Sequence, residues 1–387
     1  MHILLITWNY PPKVGGMEIM LRQLVTQWQK SVTVQVIGPF GNSLPPRKRG
    51  DRSDSGDIIR PARDGLLRFF GTAFFQAMRL LRRGDIDLIM TGSALITPIA
   101  VLLGILYRRP VVTQMHGLDL LYHHPVYQWA MRTFLPRCQL LFANSQHTKT
   151  LAVALGASAD RIQVINPGLD FSEFSDLPDA ERVRIGMNLE GHKLLLSAGR
   201  LAERKGIAEF VEHLLPELVK AHPNLLFLIV GENPTQSLMH KEDVMGRIVV
   251  AAKKANVADH VRLLGYVERP HLLNLFAASD LFVLPAIDIR GDVEGFGIVL
   301  IEASAARCPV VSTRLGGIPD AVADYDTGRL VDAGDWEAMA TVIDHLLQDE
   351  ALCQMMGENG RQRVREKFDW PIVGQRYLAF LNELVGK

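Results

Sequence analysis

Two carboxylates, Glu294 and Glu302, flank a glycine-rich turn within residues 291–319, which read GDVEGFGIVLIEASAARCPVVSTRLGGIP. Glu294 stands before Gly295, Phe296 and Gly297, whereas residues 298–306 have the apolar pattern of a helix, so Glu294 falls on the turn and Glu302 in or just after the first helical turn. The unpaired N–H groups of such a turn, with the positive end of the helix dipole, face an anion between the two acids. A diphosphate suits that gap. Carboxylates accept hydrogen bonds from vicinal hydroxyls, so one acid would hold a ribose diol and the other a second sugar. Taken alone, the pair fits equally well a capped surface helix with incidental glutamates.

Other residues lift the first reading. Arg200 and Lys205 flank a turn after the strand-like KLLLSA, and two fixed cations there would neutralise charge growing on a departing diphosphate. An isolated Arg-x4-Lys is usually a solvated basic turn; here it shares a half-chain with both glutamates. Gly15 and Gly16, between a strand and a helix, would let backbone approach a phosphate at the helix start. The segment WNYPPKVGGME lacks the Gly-x-Gly-x-x-Gly of a dinucleotide site, which disfavours NAD. His116 directly follows the strand VVTQM, beside a glycine that permits close approach. Reading His116, Asp119, His123 and His124 as metal ligands is weaker: the spacing matches no helix-face pair, and the cations already supply the charge that Mg²⁺ would bring. Base contacts are expected from strand ends at Gly231 and Glu232 and at Gly265, Tyr266 and Val267.

The elements that position these residues alternate from end to end. Strand-like runs at 2–8, 32–37, 87–91, 111–115, 140–144 and 162–165 are followed by a second set at 193–198, 225–230, 261–264, 281–284 and 310–313, with amphipathic stretches between. That alternation implies α/β architecture with parallel sheets and helices on both faces. At 387 residues two domains are expected, and Asn166-Pro167-Gly168 is the natural boundary: 1–168, 169–370, and a final amphipathic segment 371–387. Ligands of such sheets bind beyond the carboxyl ends of the strands, and the two sets of ends are expected to face each other across a cleft.

Lys plus Arg equals Asp plus Glu at 42 each, which argues against a surface built for nucleic acid. The three cysteines, Cys138, Cys308 and Cys353, are widely spaced and unpaired in pattern, as in a reduced cytoplasmic protein. MHILLITW lacks a basic leader and cleavage site and reads as a first strand. The longest apolar run, residues 98–107, has about half the roughly 20 residues a membrane span needs and is closed by Arg108 and Arg109, so it reads as a buried helix.

The chain resembles retaining glycosyltransferases of family four, which have the GT-B architecture of two Rossmann-like domains. The likeness rests on Gly15-Gly16, on Gly199-Arg200 with Lys205-Gly206, and on Glu294 with Glu302, three motifs in the family's order spanning nearly the whole chain. The resemblance implies an N-terminal acceptor-binding domain, a C-terminal domain for a nucleotide-diphosphate sugar, a last helix crossing back onto the first domain, and no metal or cofactor. It implies that His116 contacts the transferred sugar and Asp119 the acceptor hydroxyls, and that Arg200, Lys205, Glu294 and the amides of Phe296, Gly297 and Ile298 hold the donor. The leaving diphosphate would take the acceptor's proton on the same face, so the anomeric configuration is retained. RGDVEGFGIVLIEA looks most like bacterial mannosyltransferases that use GDP-mannose, although UDP-sugar enzymes share nearly all of it. A sugar-nucleotide epimerase of the same fold, or a non-catalytic sensor, would bind the same donor. One departure stands out: the family's Cys-Gly pair after the second glutamate is replaced by Ala306-Arg307, so an arginine falls where glycine suits a left-handed cap.

The acceptor is expected to be a glycan or a lipid-linked molecule of cell-envelope polysaccharide or glycolipid synthesis. Arg47, Lys48, Arg49, Arg52, Arg60 and Arg63, followed by Phe69, Phe70, Phe74 and Phe75 among further arginines, offer a segment, 45–83, that would dock on an anionic membrane face. A basic loop followed by a core helix is the plainer reading of the same residues.

Overall fold

The computed structural model describes residues 1–13, 15–41, 58–233 and 243–386. Arg47, Lys48, Arg49 and Arg52 therefore lie outside the described residues. The chain divides into two compact units, Met1–Gly168 with the last helix Trp370–Gly386, and Leu169–Asp369.

The first unit is built on six parallel strands, β1 (His2–Ile6), β2 (Thr33–Ile37), β3 (Leu88–Thr91), β4 (Val111–Met115), β5 (Leu140–Ala143) and β6 (Ile162–Val164), in the order β2-β1-β3-β4-β5-β6. The inner strands β3, β4 and β5 are buried along their whole length, because helices cover both faces of the sheet. One face packs Phe69, Ala73, Ala100, Leu103 and Met131 from the helices Leu66–Leu81, Thr97–Tyr107 and Pro125–Phe134. The other packs Leu21, Leu24 and Trp28 of the helix Gly16–Trp28 with Val373, Tyr377 and Leu381 of the last helix. The apolar stripe Met20, Leu21, Leu24, Val25 and Trp28 is buried as its spacing predicts.

The last helix is fixed by polar contacts as well. Trp28 Nε1 donates to the Gly374 carbonyl at 3.3 Å, and the Tyr377 hydroxyl donates to Gln114 Oε1 at 2.8 Å with both residues fully buried. Tyr377→Phe is expected to destabilise the chain by about 1–3 kcal/mol, because the Gln114 oxygen stays buried without that donor. Urea unfolding followed by tryptophan fluorescence measures this; an unchanged midpoint would show that the hydroxyl contributes nothing.

The second unit has six parallel strands, β7 (Lys193–Ala198), β8 (Leu225–Val230), β9 (Val261–Gly265), β10 (Leu281–Leu284), β11 (Val310–Thr313) and β12 (Gly328–Val331), in the order β12-β11-β10-β7-β8-β9. From β7 the chain builds outward through β8 to β9, then returns to the other side of β7 with β10. The reversal leaves a topological switch point between β7 and β10, where the loops leaving the two carboxyl ends diverge and open a crevice. Arg200, Lys205 and Glu294 are carried on those two loops, and Glu302 on the helix that follows the second.

Two expectations need correction. Residues 98–107 form a helix, Thr97–Tyr107, but it is not buried: Ala100, Val101, Leu103 and Gly104 face the core, while Leu102, Ile105 and Leu106 are exposed. Strand β12 has no counterpart in the sequence reading. No helix among the described residues is long and apolar enough to cross a membrane.

Candidate active site

Lys205 sits in the short 3-10 turn Glu203–Lys205 of the loop that leaves β7, and its ammonium folds back to donate to the Ala198 carbonyl at the strand's end, 3.3 Å away. Gly199 makes room for it: a β-carbon there would lie 2.8 Å from Lys205 Nζ, and the backbone runs at φ +112°. Lys205 is 6% exposed. Burial pulls its pKa down to about 8; Glu294 opposes that shift, while Arg204 and Arg200 add to it. Arg200 is exposed and, among the described residues, makes no ion pair. The two cations thus stand at the switch point with one charge held dry and the other in solvent.

Arg204, which the sequence reading passed over, joins this loop to the one leaving β10. It is buried, with Nη1 3.3 Å from Asp292 Oδ2 and Nε 3.4 Å from Glu294 Oε2. Its own carbonyl accepts from the Ile287 N–H at 2.9 Å. Glu294 is held from behind by a second unforeseen pair, Gly316 and Gly317. The Gly317 N–H donates to the Glu294 carbonyl at 2.9 Å, and a β-carbon on Gly317 would fall 2.0 Å from the Gly295 carbonyl oxygen, so no larger residue fits.

Beyond Glu294 the chain turns through Gly295, Phe296 and Gly297 into the helix Ile298–Ala305, with Gly297 as its left-handed N-cap. The Phe296 side chain is core and packs on Phe368; only its backbone is available. Among the described residues the N–H groups of Gly295, Phe296 and Gly297 donate to no protein acceptor. Three free donors at a helix start, in the same loop cluster as a buried ammonium, are able to hold an anion.

Glu302 lies one turn into that helix, its side chain 13% exposed, with Oε1 2.5 Å from Arg269 Nη1. Arg269, also missed, reaches Glu173 at 2.8 Å with its other nitrogen. Burial raises the Glu302 pKa even with that guanidinium beside it. Gly231, Tyr266 and Val267 follow β8 and β9 on the other side of β7. Gly231 donates to the Gly265 carbonyl at 2.8 Å, Val267 packs partly into the core, and Tyr266 presents an exposed ring. Arg307 takes the left-handed conformation, φ +63°, in place of the family's glycine, so the helix ends normally.

In the first unit His116 follows β4 and is buried, with Nε2 2.9 Å from the Gly92 carbonyl. A carbonyl only accepts, so Nε2 carries the proton. Asp119 is tied down: Oδ1 accepts from the His116 N–H and Oδ2 from the Ala94 N–H, both at 2.9 Å. It fixes the loop that carries His116. Gly15 is the N-cap of the helix Gly16–Trp28, in extended conformation, with the buried Glu18 carboxylate folded against it and accepting from Asn9 at 3.1 Å. That acid was not foreseen, and it shares the helix start with any anion. His116, Asp119, Gly15 and Gly16 belong to this unit, and Arg200, Lys205, Glu294 and Glu302 to the other. Among the described residues no group of three or more His, Cys, Asp or Glu is arranged to hold a metal ion.

Two α/β units of this topology, with cations and carboxylates at the switch point of the second, define a glycosyltransferase of the GT-B fold. The sequence profile described as Glycosyltransferase Family 4 matches residues 14–173, and that of Glycosyl transferases group 1 matches residues 181–363. The GDP-mannose-dependent alpha-(1-6)-phosphatidylinositol monomannoside mannosyltransferase of Mycolicibacterium smegmatis is 30% identical over 98% of both chains. A glycogen synthase of Mycobacterium tuberculosis is 27% identical over 98% of this chain and 95% of its own. The Anabaena protein HepE, solved in complex with UDP, superposes with a TM-score of 0.78 at 20% identity over 99% of this chain and all of its own. Sucrose-phosphate synthase of Thermosynechococcus elongatus does so with 0.77 at 21% identity over 100% and 99% of the two chains. The chain belongs to glycosyltransferase family 4.

Proposed function

We propose that this glycosyltransferase is a retaining, metal-independent hexosyltransferase that moves mannose from GDP-mannose to a glycan or lipid-linked acceptor in cell-envelope polysaccharide or glycolipid synthesis, working in the cytoplasm at an anionic membrane face. The observation that carries this is the buried ammonium of Lys205 beside three free backbone N–H groups and Glu294. In this reading the donor diphosphate lies on the amides of the 295–297 turn, with Lys205 and Arg200 on its oxygens. As the glycosidic bond breaks, negative charge moves onto the diphosphate, and both cations gain attraction that they lack toward the intact donor. Glu294, aimed by Arg204, accepts hydrogen bonds from the sugar. Glu302 turns from Arg269 toward the ribose, and Gly231, Tyr266 and Val267 border the base. His116 contacts the transferred sugar, the Gly15-Gly16 turn approaches a donor phosphate, and Asp119, which also fixes the loop that carries His116, is the residue for acceptor hydroxyls. The departing diphosphate oxygen takes the acceptor proton on the face it leaves, which preserves the configuration.

The relative of known donor supports GDP over UDP. Calorimetric titration is expected to show GDP binding at least about tenfold more tightly than UDP, a difference of about 1.4 kcal/mol. Tighter binding of UDP would replace the mannose donor with a UDP-sugar, and no binding of either would remove the transferase reading.

A further inference from the structure

A surface helix normally turns polar residues outward, yet Thr97–Tyr107 carries no charged side chain, and its outer face is Leu102, Ile105 and Leu106. Its neighbours repeat the pattern. The helix Leu66–Leu81, packed on one side, exposes Leu67 and Phe75, and Pro125–Phe134, packed on the other, exposes Val126 and Trp129. Phe75, Ile105 and Trp129 are 69%, 66% and 61% exposed. Of the four phenylalanines that the sequence offered for docking, Phe69 is buried and Phe70 and Phe74 pack against the core, so only Phe75 is left on this surface. Large apolar side chains exposed on three helices packed side by side mark an interaction surface.

Charge identifies the occupant. Residues 66–83, 97–109 and 125–137 hold eight arginines and no Asp, Glu or Lys. Arg108, Arg109 and Arg137 meet at the end of the middle helix, where with Gln139 and Ile105 they line a depression of about 380 Å³. Guanidinium groups pair with phosphate in a bidentate fork. A second copy docked by its own equivalent face would set these arginines against one another. An anionic bilayer satisfies both halves of the surface, with phosphates for the arginines and acyl chains for the apolar tips.

We propose that the outer face of the helices Leu66–Leu81, Thr97–Tyr107 and Pro125–Phe134 is the membrane-docking surface of this enzyme, with Phe75, Ile105, Leu106 and Trp129 entering the headgroup–acyl boundary and a lipid phosphate in the Arg108–Arg109–Arg137 depression. The inference rests on the reading that the acceptor is lipid-linked, and it moves the contact away from the basic loop to the helices themselves.

The test is flotation of the full chain with vesicles of phosphatidylcholine and phosphatidylglycerol in equal parts, against phosphatidylcholine alone. Wild type is expected to float with the anionic vesicles and to be released as salt shortens the screening length from about 10 Å to about 3 Å. Ile105→Ser with Trp129→Ser, and separately Arg108→Gln with Arg137→Gln, are each expected to weaken vesicle binding by about tenfold or more. Their melting temperatures should match wild type, because the side chains replaced are exposed. Nucleoside diphosphate binding without vesicles should be equal in all three proteins; its absence in wild type would count against the transferase reading and leave the docking result standing. Failure of wild type to float, equal binding to neutral vesicles, or both variants floating like wild type overturns the proposal. A wild-type dimer that the Ser variant splits, without vesicle binding, would assign the face to a second copy.

Discussion

Lys205→Met is expected to slow sugar transfer by about 10²–10³-fold, equivalent to about 3–4 kcal/mol of barrier, the range for removing one preorganised group aimed at developing charge. It is expected at the same time to leave the fold as stable as before or more so. The two results follow from one fact: the ammonium is buried at the end of β7 with a carbonyl as its hydrogen-bond partner, and its pKa is drawn down from 10.5 to about 8. A folded chain that holds its lysine proton less tightly than the unfolded chain is penalised while that lysine is charged. Below about pH 8 the penalty is fully present. Between about 8 and 10.5 the unfolded state binds more protons, so this residue's contribution becomes more favourable to folding as pH rises. Activity runs the other way, since the ammonium is the form that meets the diphosphate. The kcat/KM of wild type should therefore decline as pH rises through about 8. Initial rates against pH, beside thermal melts of both proteins, test the pair of statements. A methionine variant with wild-type rate would take Lys205 out of the mechanism, and one that melts far below wild type would make its role structural.

Arg204→Met is expected to do the opposite, destabilising the chain by about 3–5 kcal/mol before any effect on chemistry is considered. Removing the guanidinium takes away the cation shared by Asp292 and Glu294, two carboxylates that are largely buried in the loop after β10. The cost is that of uncompensated buried charge, which is why an exposed ion pair offers the control: Arg307 and Glu358 are each about half exposed, and deleting that pair should cost about 0–1 kcal/mol. Where the variant still folds, Glu294 loses its orienting partner, and KM for the donor should rise along with the fall in kcat. Chemical denaturation with both substitutions compares the two directly. Equal costs would mean that the Arg204 cluster is hydrated and does not hold the two loops together.

The strands were readable because parallel sheets covered on both faces demand uninterrupted apolar runs, and LLLSA, LLFLIV and LFVL meet that demand without ambiguity. Strand β12 escaped for the converse reason. At the sheet's edge β11 is its one strand partner among the described residues, and a strand opening with Gly328 and carrying Arg329 looks like a turn. The site was legible where it depends on residue type at fixed spacing, as with Glu294, Glu302, Arg200 and Lys205. It was not legible where it depends on burial of residues that are ordinarily exposed, as with Arg204 and Glu18. The helix Thr97–Tyr107 shows a third limit: an apolar pattern reports that both faces avoid water, and not whether protein is what covers the second one.

The first unit is discontinuous in the chain, with residues 169–369 intervening before Trp370 begins its last helix. Ribosomal synthesis at about 5–20 residues per second delivers Val373, Tyr377 and Leu381 roughly 10–40 s after β6 has emerged. Throughout that interval Trp28 and Phe142 lack the side chains that cover them, while the intervening unit, continuous in sequence, has everything it needs to fold. The order of assembly is thereby reversed relative to the order of translation, and the nascent chain carries an open apolar face of the kind that chaperones recognise.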